Sequence, residues 1–324
     1  FGLLWFRNAV CNMLAYARRT ARSEWPAERG LAGLLGDRAP GRAPRRAVIC
    51  GAGPGLDRFV ELAGSLNRSI LILAADTALP ALRSAGIAPD VVASIDPQAI
   101  AATHFRRGLQ ESTGLALELT ARPLPMTVQH PTVLLAGPSP FARYFGDGIA
   151  HDVDVTAGTV GELLASIAAR LNLKIADTPG MDFGYPGRTP YARGSSVLLH
   201  SRDHADRLQS AENVAAGVLF RHPLRGEYEK PTTEQLAAYR HAFVHSLKGT
   251  EQDHRGAPAS SPTPGGTTVR DQTRLVQGRF EAHRDRLRNL TFSDVSGRRN
   301  LSALMLVPGM VARQRRSGQG NLSA

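Results

Sequence analysis

Gly51, Gly53 and Gly55 stand at alternate positions directly after an apolar run, with Pro54 among them, in Ala47–Leu56 (AVICGAGPGL). A glycine turn between a strand and a helix lets backbone N–H groups approach a phosphate, helped by the positive end of the helix. The turn is not the dinucleotide fingerprint, because Leu56 replaces the third glycine, and no Gly-Lys-Ser/Thr follows to make a Walker A loop. Strand-to-helix geometry alone also accounts for such a turn. Asp76 lies in a second run, Ser69–Leu79 (SILILAADTAL), followed by Thr77. An acid at a strand end can hydrogen-bond a ribose hydroxyl, or it can cap the following helix. Asp96 ends a third run, Pro89–Gln98 (PDVVASIDPQ). Pro97 pushes it into an extended conformation, which suits a base, a metal ligand or a substrate hydrogen bond, and equally a simple turn. Gln98 closes that run, and His104 follows as a possible acid–base residue.

Two later segments add candidates. Gly158-Thr159 precedes an amphipathic pattern and offers a second helix N-terminus, to a ligand or merely as a cap. Pro179–Ser196 (PGMDFGYPGRTPYARGSS) has the Gly and Pro content of a loop, and loops over a sheet edge often carry function. It holds Asp182, Tyr185, Tyr191 and Arg193, whose guanidinium could clamp a phosphate or carboxylate. No Cys/His cluster, zinc signature or Ser-His-Asp motif is visible, and no metal-ligand set is assigned.

These residues need elements to hold them. A helix is expected over 3–22 and a Pro/Gly/Arg-rich linker over 26–46. Strands are expected at 47–50, 69–75 and 90–95, with helices from about Pro54 to Leu66 and over Thr77–Ala85. This βαβαβ alternation predicts a parallel sheet with right-handed crossovers. In such a sheet ligands bind outside the carboxyl ends of the strands, so the three runs should line one crevice. Further strands are read at 115–119 and 132–136, and a helix at 159–171 from its apolar spacing. Leu171–Pro179 (LNLKIADTP) is less apolar than the strand expected before Gly180. After Ser210 the pattern weakens, with a helix over 232–248, a low-complexity linker at 255–269 and a charged helix near 272–288. The fold class is therefore α/β, a Rossmann-like, mostly parallel sheet with flanking helices, an N-terminal helical segment and a poorly defined C-terminal tail. The division is 1–46 (helix and linker), 47–225 (Rossmann-like domain), 226–250 (helical extension) and 251–324 (linker and loosely packed tail).

Bulk properties narrow the function. The chain has 324 residues, 42% hydrophobic and 21% charged, as globular proteins do. Its net charge of +11 is unevenly spread: residues 1–46 carry nine Arg against three acids, 47–200 eleven cations against thirteen acids, and 201–324 nineteen against twelve. The motif-bearing middle is nearly neutral, so nucleic acid is not expected as a partner. No apolar run is long enough to span a membrane. The opening Phe1 suggests a fragment or processed chain. With two cysteines, one of them in an apolar strand, a disulfide framework is not expected and a cytoplasmic location fits.

GAGPGLD, AADTALPALRSAGIAPDVVASIDPQ and GMDFGYPGRTPYARGS resemble the bacterial flagellar motility accessory factor family. That family shares its central domain with archaeal 6-hydroxymethylpterin diphosphokinase and is labelled MptE-like. The resemblance covers roughly residues 1–240. It implies a Rossmann-like transferase that moves a nonulosonic, sialic-acid-like sugar from a CMP donor to flagellin. On that reading Gly51, Gly53, Pro54, Gly55, Asp76, Thr77, Gln98, Gly158 and Thr159 bind the nucleotide. Asp96 and His104 are catalytic, Asp182, Tyr185, Tyr191 and Arg193 meet the substrate, and no cofactor is needed. The archaeal branch implies an alternative, transfer of diphosphate from ATP to a pterin alcohol with Mg²⁺. A third reading is a non-catalytic flagellin-binding factor. The chain departs from the family at Gly55 and Gly184, where serines are usual.

Overall fold

Parallel strands buried on both faces read as unbroken apolar runs, and five such runs build the centre of the sheet. A computed structural model describes residues 2–21, 31–35, 45–62, 70–138, 140–146, 150–153, 155, 158–221, 223–226 and 230–253. The strands are β1 (Arg45–Cys50), β2 (Leu71–Ala75), β3 (Val91–Ser94), β4 (Gly114–Glu118), β5 (Thr132–Ala136), β6 (His151–Asp152) and β7 (Leu173–Asp177). Their order is β6-β5-β4-β3-β2-β1-β7, and every pairing is parallel. The chain therefore steps from β1 to β6 in one direction and then returns to place β7 on the far side of β1. That reversal, at β1 and β7, is the switch point beside which open α/β sheets bind ligands.

The weak apolarity of LNLKIADTP has a positional cause. β7 is an edge strand, and only Leu173 of its five residues is buried. It pairs Arg45 with Leu173 and Ala47 with Ile175, and the register shifts between Ala47 and Val48.

The helices are α1 (Gly2–Ala21), α2 (Gly55–Leu62), α3 (Leu79–Ser84), α4 (Ala101–His104), α5 (Pro140–Gly146), α6 (Val160–Arg170), α7 (Ser196–Asp203), α8 (Ala211–Leu219) and α9 (Glu234–Asp253). α6 starts where Thr159 accepts a hydrogen bond from the Glu162 N–H at 3.2 Å, an ordinary N-cap. Its apolar face buries Leu163, Leu164 and Ile167 against the sheet, and α9 packs on it through Phe243. α1 buries Ala9 and Met13, and Phe6 meets Phe145 of α5 edge-on at 5.8 Å. Its polar positions also face inward. Asn8 Nδ2 donates to the carbonyls of Pro97 and Thr120, and Asn12 Nδ2 to those of Leu119 and Ala121. Spaced one helical turn apart, the two amides tie α1 to the loops after β3 and β4.

Three readings change. Within the stretch expected as a linker, residues 31–35 form a 3₁₀ turn that buries Leu31, Leu34 and Leu35. The helix expected over Thr77–Ala85 begins as a 3₁₀ turn, Asp76–Ala78, and becomes α-helical at Leu79. α7 and α8 occupy a region in which no helix was expected. The tail beyond Asp253, with the linker and charged helix read there, lies outside the described residues.

Candidate functional site

The carboxyl ends of β1 to β4 open onto one crevice of about 1090 Å³. It gathers most of the residues singled out in the sequence. Gly51, Gly53, Asp76, Thr77, Asp96, Gln98, His104, Gly158, Thr159, Asp182, Tyr185 and Tyr191 all line it, whereas Pro54, Gly55 and Arg193 do not.

The glycine turn is not open to a phosphate in this conformation. Gly51 N–H donates to the Pro179 carbonyl and Gly53 N–H to that of Gly180, both at 2.8 Å. Gly55 N–H, at the start of α2, donates to Asp182 Oδ2 at 2.9 Å. The turn after β1 is thus zipped to the turn after β7, and a carboxylate from the chain itself sits at the positive end of α2. The packing explains the glycines. A Cβ on Gly51 would lie 2.4 Å from the Gly180 carbonyl oxygen, and one on Gly180 would lie 2.2 Å from that of Gly51.

Asp76 is buried. Its Oδ2 accepts from Ser94 Oγ at 2.6 Å and its Oδ1 from Thr77 N–H at 2.7 Å. It caps neither the 3₁₀ turn nor α3, so the capping reading is replaced by a bridge between the ends of β2 and β3. Burial pushes its carboxyl above the ordinary range, against the pull of nearby His104 and of its own hydrogen bonds. Asp96 is half-buried. Its Oδ1 accepts from Gln98 N–H at 2.8 Å, the Asx turn that Asp-Pro favours, and its own carbonyl accepts from Arg122 N–H. His104, at the end of α4, is buried, with Nδ1 at 2.5 Å from Ser196 Oγ at the start of α7.

The Pro179–Ser196 loop forms one wall. Burial raises the phenols of Tyr185 and Tyr191, with Arg221 acting in the opposite sense. Arg193 is turned outward. Its Nε lies 3.1 Å from Asp57 Oδ2 and an Nη lies 2.8 Å from Glu61 Oε1. The expected phosphate or carboxylate clamp is therefore an exposed latch onto α2, because the loop approaches that helix before it reaches the crevice.

Glu118 is the residue that sequence reasoning passed over. It lines the crevice from the end of β4. Its Oε2 accepts from Thr120 N–H at 2.6 Å and from Thr120 Oγ1, and burial pushes its carboxyl upward. The signal was present: LALEL, like the runs that hold Asp76 and Asp96, places an acid near the carboxyl end of its strand. Among the described residues no three His, Cys, Asp or Glu side chains converge as a metal site. Among the described residues the lining includes no Lys or Arg. The Cys50 thiol is held above its ordinary range by burial, as befits a small core residue. Among the described residues no helix is long and apolar enough to cross a membrane.

Residues 33–188 match the family model described as 6-hydroxymethylpterin diphosphokinase MptE-like. This part of the chain is an MptE-like domain. The match takes in all seven strands and most of the crevice wall, and α7 to α9 follow the MptE-like domain in sequence. A stretch of 107 residues, 32% of this chain, is 36% identical to an uncharacterized protein of Treponema pallidum (strain Nichols), covering 43% of that protein. The structure of the MAf glycosyltransferase from Magnetospirillum magneticum AMB-1 aligns with a TM-score of 0.46 at 16% identity, over 87% of this chain and 49% of that one. The chain spans less than half the length of both.

Proposed function

We propose that the crevice binds a nucleotide-activated donor and transfers its activated group to an acceptor hydroxyl, with a CMP-activated nonulosonic sugar as donor and flagellin as acceptor. The observation that carries the transfer reading is the convergence of Asp76, Asp96 and His104, from three separate elements, on one cavity large enough for a nucleotide sugar. The sugar and the acceptor rest on the resemblance of the strand-end motifs. Asp96 is the accessible carboxylate of the group and serves as base. Asp76, already engaged by Ser94 and Thr77, shapes the floor. Tyr185, Tyr191 and Tyr239 supply aromatic surface for a sugar or base ring.

A specific observation favours a second reading, the ATP-dependent diphosphokinase. Among the described residues four carboxylates and no Lys or Arg line the crevice, so a polyphosphate entering it needs a divalent cation to balance its charge. Mg²⁺ typically arrives with substrate phosphates and takes one or two carboxylates. Asp96 and Asp182 are the residues that would hold it.

Thermal denaturation with CMP, CTP or ATP, each with and without Mg²⁺, separates the readings. Metal-independent stabilisation by CMP is expected for the sugar transferase, and Mg²⁺-dependent stabilisation by ATP for the kinase. No response to any nucleotide at millimolar concentration would leave the non-catalytic reading. In the sugar transferase Asp96→Ala is expected to lower turnover by about 10²–10⁴-fold, and activity within a few-fold of wild type would remove Asp96 as the base.

A further inference from the structure

His104 enters the proposed site with one ring nitrogen already engaged. Its Nδ1 lies 2.5 Å from Ser196 Oγ. Both side chains are buried, each about 5% exposed. Ser196 sits in the first turn of α7, which Ser195 caps by accepting from the Leu198 N–H. Ser196 is not part of the crevice lining, whereas His104 is. The nitrogen left for the crevice is therefore Nε2.

The direction of the Nδ1–Oγ bond decides what Nε2 can do. A hydroxyl carries one proton that needs an acceptor, and a neutral imidazole has one donor and one acceptor nitrogen. Among the described residues the Ser196 side chain makes one hydrogen bond, that to His104. If His104 donated to it, the buried hydroxyl proton would be left without an acceptor, which is costly. If Ser196 donates, both groups are satisfied and the imidazole proton must sit on Nε2.

We infer that Ser196 is a positioning residue that donates to His104 Nδ1 and so fixes His104 as the Nε2–H tautomer, a hydrogen-bond donor to the leaving group, with Asp96 alone as base. This rests on the transferase reading for its catalytic meaning but not for its geometry. The step balances without an outside reagent. The acceptor oxygen bonds the transferred group as the bond to the leaving phosphate oxygen breaks. The electron pair stays with the phosphate, the acceptor's proton passes to the Asp96 carboxylate, and His104 stabilises the departing oxygen through Nε2–H without losing its proton. Asp96 Oδ1 holds the Gln98 N–H, which leaves Oδ2 for the incoming proton.

The test needs no substrate. Long-range ¹H–¹⁵N correlation spectra of the ¹⁵N-labelled full chain, at about pH 8.5, well above the ordinary histidine range, report which ring nitrogen is protonated. The His104 signals are assigned by their loss in His104→Gln. We expect His104 as a single Nε2–H tautomer in wild type, retained in Ser196→Thr and mixed in Ser196→Ala. A proton on Nδ1 in wild type, or an unchanged tautomer in Ser196→Ala, would overturn the assignment. Should Ser196→Ala fail to fold, the wild-type and Ser196→Thr spectra decide alone. The expected tautomer in a protein that responds to no nucleotide would instead sink the transferase reading and leave the positioning role standing.

Discussion

Replacing Gly51 by Ala tests whether the glycine turn is a packing element or an open phosphate cradle. The added Cβ would lie 2.4 Å from the Gly180 carbonyl oxygen, 2.8 Å from its carbonyl carbon and 2.9 Å from Met181 Sδ. Two of these are backbone atoms, so no rotamer change relieves the overlap and the two turns must part. Overpacking of this kind costs about 1–3 kcal/mol. Parting also strains the bonds from Gly51 to Pro179 and from Gly53 to Gly180, worth about 0.5–1.5 kcal/mol each. A loss near 3 kcal/mol corresponds to a fall in Tm of roughly 6–12 °C for a unit of this size. Gly86→Ala is the control: its φ is +73° but nothing lies near its Cβ position, so it carries the backbone term alone, about 1–2 kcal/mol. The assay is thermal and chemical denaturation of both variants without nucleotide. If Gly51→Ala matched or exceeded the control in stability, the turn would be free to open and the zipped arrangement would be wrong.

The raised carboxyl of Asp76 makes a sign-definite forecast. The native state holds the proton more tightly than the unfolded chain, whose ordinary value is 3.8. Its contribution is therefore full below that value and is lost as pH climbs through the native one. Wild type should lose stability relative to Asp76→Asn as pH rises from about 4, and a gap moving the other way in paired melts would refute this. Asn12→Ala strips the Leu119 and Ala121 carbonyls of a buried donor and should cost about 1–3 kcal/mol, read from urea midpoints. Arg193→Ala releases the latch to Asp57 and Glu61, so amide exchange should quicken across 183–194 while the core strands stay protected, and an unchanged loop would show that the latch holds nothing.

The strands were legible where burial on both faces writes itself into composition. β5 falls on the expected 132–136, and β1 to β4 lie within two residues of their expected bounds. β7 was faint because an edge strand carries Lys174 and Asp177 on exposed positions. The gathering of Asp76 and Asp96 followed from strand-end logic, whereas His104 arrives at the end of α4. The fate of the glycine turn did not, because Gly55 and Asp182 are 127 positions apart and no local pattern links them. Arg193 failed for the same reason, its partners Asp57 and Glu61 lying on a helix far back in the chain. Ser196 was invisible because a hydroxyl in a helix's first turn looks like a cap until its neighbour across the fold is known.

The reversal of strand order has a consequence for when the site comes into being. β1 meets β2 across 24 residues (Ala47 to Leu71), but it meets the β7 side only across more than a hundred. Loop closure over the longer span, from Gly55 to Asp182, costs about 1.5 kcal/mol more chain entropy, and contacts so distant in sequence form late. During synthesis β1 to β6 can assemble while one edge of β1 remains bare, and an unpaired edge is an invitation to another chain. The turn that β7 delivers closes that edge and, in the same motion, brings Asp182 to the start of α2. One wall of the crevice is thus completed as the exposed edge disappears, so a chain halted before residue 182 would lack its full candidate site and present a sticky strand in its place.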